Sequence, residues 1–184
     1  LLAHTSFGQT TIKGRTNISF EHTYGDTINN SPNTAFNDRI EILQIDQSPA
    51  AIDIRLYELH SLSNTKALRR IFLVDTTWNA VEYHELNNPV KINKYKLFAT
   101  YGFDSLFSQL LYNNIMTLPT QDSLYSRMKK PTGEFDEGNP IYRVIRVMDG
   151  ESYTIEIKIG NAYRVYQFYN PEAYSGIYED VPEL

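Results

Sequence analysis

The chain has 184 residues, enough for one domain with a single substantial core, and its 41% apolar and 21% charged residues are ordinary for a globular protein. A net charge of −5, with no basic cluster longer than Arg127-Met128-Lys129-Lys130, argues against nucleic acid as a partner. Cysteine is absent, which excludes disulfides, thiolate metal sites, a cysteine nucleophile and a lipidated cysteine anchor, and no run reaches the roughly 20 apolar residues of a transmembrane segment.

Aromatic usage departs from the average, with 14 Tyr and 9 Phe against one Trp. Tyrosine pairs an apolar body with a polar tip, so this bias favours strands with half-buried faces. The opening "LLAHTSFGQ" reads as the tail of a signal peptide. Leu1-Leu2-Ala3 would end its apolar core, and Ser6 and Gly8 supply small residues before a cleavage point at Gln9. Residues 1–8 are therefore expected to be a signal remnant and 9–184 a single globular domain, exported to a periplasmic or extracellular location.

A first strand is expected near 10–24, then a polar surface loop through "GDTINNSPNTAFND" (25–38). Alternation of apolar and polar residues predicts strands at 39–45, 51–61, 67–76, 80–86 and 92–102. Gly102 closes the last of these. Leu106, Phe107, Leu110, Leu111 and Ile115 then fall at helical spacing, predicting one principal helix over about 103–116 that stops before Pro119. A polar connection is expected over 120–140. Asp149-Gly150 and Gly160-Asn161 read as hairpin turns joining three antiparallel strands in the C-terminal third. The expected fold is α+β, a mainly antiparallel curved sheet of about seven to nine strands with the helix packed on it.

No standard catalytic signature appears. Glu58-Leu59-His60 and Glu82-Tyr83-His84 repeat one Glu-x-His pattern on expected strands, where period two puts both side chains of a pair on one face. Across a meander the two pairs fall at the same sheet end, about 9–10 Å apart. Two imidazoles and two carboxylates would suit Zn²⁺ or a similar ion. Glu156 is the candidate catalytic carboxylate, set against a simpler role as cross-strand ion-pair partner of Arg164. Tyr153, Tyr163, Arg164, Tyr166 and Tyr169 could form an aromatic binding platform, set against an ordinary place in the core. Asn17-Ile18-Ser19 is a glycosylation sequon that matters only in a eukaryotic secretory route.

The helix ending on Leu118-Pro119, the strand carrying Asp149, Gly150, Tyr153 and Glu156, and the tyrosine-rich strand with Tyr163, Arg164, Tyr166, Asn170 and Pro171 together resemble a family. Over residues 103–178 the chain is similar to uncharacterised secreted proteins of Bacteroidetes. The resemblance implies export and a shared fold, and it carries no activity. The resulting expectation is an exported, non-enzymatic binding module of the bacterial envelope with no cofactor, its partner an unidentified protein or envelope component. One alternative is an envelope hydrolase or metal enzyme using Glu156 or the Glu-x-His pairs. The other is a small-ligand carrier with a cavity between sheet and helix.

Overall fold

The computed structural model describes residues 8–12, 15–20, 33–63, 65–86, 89–179 and 181. β1 (Gly8–Ile12) and β2 (Arg15–Phe20) form an antiparallel hairpin. β3 (Ile52–His60), β4 (Thr65–Val74), β5 (Thr77–Leu86) and β6 (Lys91–Lys96) form an antiparallel meander. β7 (Lys130–Asp136) and β8 (Asn139–Arg143) make a second separate hairpin. β9 (Glu151–Ile159) and β10 (Ala162–Tyr169) join the meander beside β3, giving a six-stranded sheet of order β10-β9-β3-β4-β5-β6. The chain is α+β, as expected, but its described strands divide among three sheets rather than one curved sheet. The expected signal remnant at 1–8 lies outside the described residues except for Gly8, as do residues 13–14 and 21–24 of the expected first strand and 25–32 of the polar loop.

Strict alternation in β3 builds the two faces. Ile52, Ile54 and Leu56 point to what we term the front, and Asp53, Arg55 and Tyr57 to the rear. Register sets Ile52 beside Leu73 and Ile159, and Ile54 beside Ile71 and Ile157, so the front carries a continuous branched aliphatic floor. Ile52, Ile157 and Ile159 are almost fully buried, each contributing about 1.5–3 kcal/mol by removal from water.

On the rear lies α1 (Thr34–Arg39), followed by a 3-10 turn at Ile45–Gln47. The expected strand at 39–45 is not formed. Phe36 and Ile40 fall four residues apart on one helix face, Glu41 leaves the helix in left-handed geometry (φ 57°), and Ile42 then joins them over Tyr57, Leu68, Val81 and Tyr83. The alternating isoleucines therefore serve a covering layer, not a ladder.

On the front lies α2 (Phe103–Tyr112), which starts after Gly102 at φ 80°. Phe107 packs on the aliphatic floor, and Trp78 donates Nε1–H to Asp104 Oδ1 at 2.8 Å. The helix ends at Tyr112 rather than running to 116, because Asn114 adopts a left-handed backbone (φ 59°) and 113–117 turn back. Ile115 and Met116 still reach the core, where Tyr166 donates its hydroxyl to the Ile115 carbonyl at 2.8 Å.

α3 (Gln121–Leu124) and α4 (Pro171–Ile177) enclose a smaller cluster of Leu124, Met128, Tyr174, Tyr178 and Val181. The supposed polar connection at 120–140 thus contains α3 and most of the second hairpin. The third C-terminal strand is also missing. Residues 144–148 stay outside every ladder, with the Ile145 and Val147 amides donating to the hydroxyls of Tyr178 (2.9 Å) and Tyr174 (3.1 Å) instead. Only Gly160-Asn161 makes the expected hairpin, closing Ile159 against Ala162.

Candidate functional site

The front face is apolar only over half its length. Toward the C-terminal end of β3 the alternating positions become Glu58 and His60, beside Tyr153 and Glu151 on β9. Next along the sheet come Arg69 on β4, then Glu82 and His84 on β5. Every one of these positions belongs to the same face by register. The row is half-buried or exposed, whereas the Ile52 end is sealed by α2.

His60 is its centre. Nε2 lies 3.0 Å from Glu58 Oε1, and Nδ1 lies 2.9 Å from Glu151 Oε1, so each ring nitrogen faces a carboxylate oxygen. Tyr153 donates its hydroxyl to Glu151 Oε2 at 2.5 Å. That bond, then burial and the charges of Glu58, Glu151 and Glu172, hold the Tyr153 hydroxyl well above the usual tyrosine range. Ligand atoms of Glu58, His60 and Glu151 all lie within 4.8 Å of one another. Tetrahedral ligands stand roughly 3.3 Å apart around zinc, so an ion there requires these side chains to rearrange around it.

The second Glu-x-His pair does not join this group. Both pairs sit on one face and at one sheet end, but Arg69 occupies the strand between them. It donates to Glu58 Oε2 at 2.9 Å and to Glu82 Oε1 at 2.7 Å. A single ion shared by Glu58, His60, Glu82 and His84 is thereby replaced by a guanidinium bridge. His84 Nε2 stands 3.0 Å from Glu82 Oε1, without the alignment of a hydrogen bond. Burial alone would raise the Glu82 carboxyl, but the contacts from His84 and Arg69 outweigh it and hold it below the usual range.

Glu151 and Tyr153 stand between two depressions. An open groove of ≈ 320 Å³ has Leu56, Ile155 and Phe168 as its floor, with Tyr153 and Glu172 at its margin. A wider cleft of ≈ 770 Å³ runs past Glu151, Arg146, Met148 and Tyr125. Phe107 of α2 packs into the core, and the open groove lies beside that core against Leu56, Ile155 and Phe168.

The remaining candidates fall elsewhere. Glu156 is fully buried on the rear, opposite Arg55, with the Tyr57 hydroxyl 3.2 Å from its Oε2. It lines neither depression. Its expected pairing with Arg164 is not formed, because the register sets Val165 opposite Glu156 and turns Arg164 to the front. There Arg164 donates to the Leu118 carbonyl at 2.9 Å and stacks on Tyr166. The aromatic platform is likewise divided. Tyr153, Arg164 and Tyr166 face front, while Tyr163 and Tyr169 face the rear, and Tyr163 and Tyr166 are buried.

Glu151 went unrecognised in the sequence because it follows a presumed turn and lies far along the chain from His60. Its place at period two with Tyr153 was the only local signal. No family model, curated protein or solved structure matches the chain.

Proposed function

We propose that the chain is a non-enzymatic binding module of the bacterial envelope whose recognition surface is the open half of the front face. On that surface Glu58, His60 and Glu151 hold a divalent cation of the zinc type. The observation that carries this reading is His60 with a carboxylate oxygen at contact distance on each ring nitrogen, beside an apolar groove. One imidazole and two carboxylates form a donor set suited to a borderline ion. The groove then offers apolar contact to whatever the cation recruits. The absence of catalytic motifs in the sequence and the deep burial of Glu156 favour binding over hydrolysis. Export rests on Leu1–Gly8 and on the family resemblance alone.

Zinc titration by calorimetry tests the site. We expect one ion per chain in the wild type, with binding lost in His60→Ala and in Glu151→Gln but kept in His84→Ala. Failure of the wild type to take up zinc, or equal binding by the His60 variant, would rule the site out.

A further inference from the structure

We infer that the β7–β8 hairpin is an arm that docks on the β6 edge of a second copy of this chain. A two-stranded hairpin is marginal in water unless something packs on it. Here nearly every residue of both strands is exposed. The ribbon nevertheless closes at its tip, with Glu137 and Gly138 both at positive φ (48° and 82°) in a two-residue turn between Asp136 and Asn139, and its register shifts once, between Pro131 and Phe135. Its register sets Pro131 opposite Tyr142 and Phe135 opposite Pro140, which puts those four side chains on one face. Phe135 is 69% exposed and Tyr142 54%. An apolar ribbon face of that kind is a contact surface without its contact.

The choice of a second copy follows from complementarity. The arm tip carries Glu134, Asp136 and Glu137. The β6 strand, at the opposite edge of the sheet from β10, carries Lys91, Lys94 and Lys96 and has a strand partner only on its β5 side among the described residues. Beyond it stand Phe98 and Tyr101, 79% and 84% exposed. The acidic tip thus matches a basic edge, and the apolar ribbon face matches an aromatic patch beside that edge. Lysines on an edge strand repel most strands but favour an acidic one. At the other sheet edge the end of β10 is already engaged, since Gln121 hydrogen-bonds both the Tyr169 amide and carbonyl. The arm is rooted by Lys130 at Tyr178 and by residues 144–148, on the β9–β10 side of the molecule. Reciprocal exchange of two arms closes a two-fold dimer, and one-way docking extends a chain.

Sedimentation over a concentration series reads this directly. We expect the wild type to associate, Phe135→Ser plus Tyr142→Ser to weaken association at least tenfold, and Lys94→Glu plus Lys96→Glu to do the same. The arm variant Glu134→Lys plus Asp136→Lys should fail to associate with itself, yet pair with the Lys94→Glu plus Lys96→Glu chain when the two are mixed. The substituted side chains are surface groups, and unchanged Trp78 emission in each variant reports an intact core. A single monomer mass at about 1 mM chain, where a millimolar contact is half occupied, overturns the inference. Association that survives both the arm and the edge variants, or charge-swapped chains that do not pair, overturns it equally.

Discussion

His60 Nδ1 stands 2.9 Å from Glu151 Oε1, and the contact joins the end of β3 to the start of β9 across the sheet. Both side chains are more than a third exposed, so water screens the pair. Exposed pairs of this kind contribute about 0–1 kcal/mol. Glu151→Gln should therefore shift the urea midpoint hardly at all while abolishing zinc uptake. A large loss of stability with zinc binding retained would instead mark the residue as part of the frame.

Asp53 behaves in the opposite way. It is fully buried on the rear, bonded by Arg55 at 3.0 Å and by Arg70 at 2.6 Å. Removing its charge leaves two guanidinium groups without their buried partner, so Asp53→Asn should cost about 3–5 kcal/mol by chemical denaturation.

The same carboxyl sets an acid limit. Burial alone would raise it, but hydrogen bonds from Arg70 and Arg55 prevail and hold it below its ordinary value of 3.8. A depressed folded pKa means that the stabilisation is complete above the unfolded value and is lost as pH falls through the folded one. The wild-type urea midpoint should therefore fall as pH drops below about 4, and that contribution should be missing from Asp53→Asn. Parallel pH profiles of the two proteins would contradict this.

Gly150 has no room for a side chain. A Cβ there would fall on the Asn170 amide, which itself donates to the Val147 carbonyl at 3.2 Å. Gly150→Ala should lower stability by about 1–3 kcal/mol. Asn170 is left-handed at φ 49°, a geometry glycine accepts, so Asn170→Gly should recover part of that loss in the double variant. Strictly additive thermal shifts would argue that the two residues do not meet.

Trp78 is the only tryptophan, and it reports on the docking of α2. Asp104→Ala removes the acceptor of its indole N–H, at a cost of about 0.5–1.5 kcal/mol. Emission should change in the folded protein, because the indole loses a hydrogen bond while keeping its ring contact with Phe107 at 5.6 Å. An unchanged spectrum would indicate that the bond is not made in solution.

The central strands were legible because each has one aliphatic face: Ile52-Ile54-Leu56 and Ile155-Ile157-Ile159 announce themselves by alternation. The same criterion misread Ile40, Ile42 and Ile45, whose spacing also fits a helix end and a turn. It missed the β7–β8 hairpin, which has no buried face to pattern. At the site, the shared face of Glu58, His60, Glu82 and His84 followed from period two. Arg69 between the pairs and Glu151 beside His60 did not, since both depend on which strands become neighbours. A local pattern specifies a face and leaves the neighbour across the ladder open.

β3 forms ladders with both β4 and β9, yet Tyr57 and Glu156, which meet across one of them, are 99 residues apart in the chain. During synthesis the meander can close early, but one side of β3 must wait for the C-terminal third to emerge. Through that interval an edge bearing Ile52, Ile54 and Leu56 stands open to other chains. The step that completes the sheet is the arrival of β9 and β10, so late truncations should lead to aggregation rather than to a smaller folded domain.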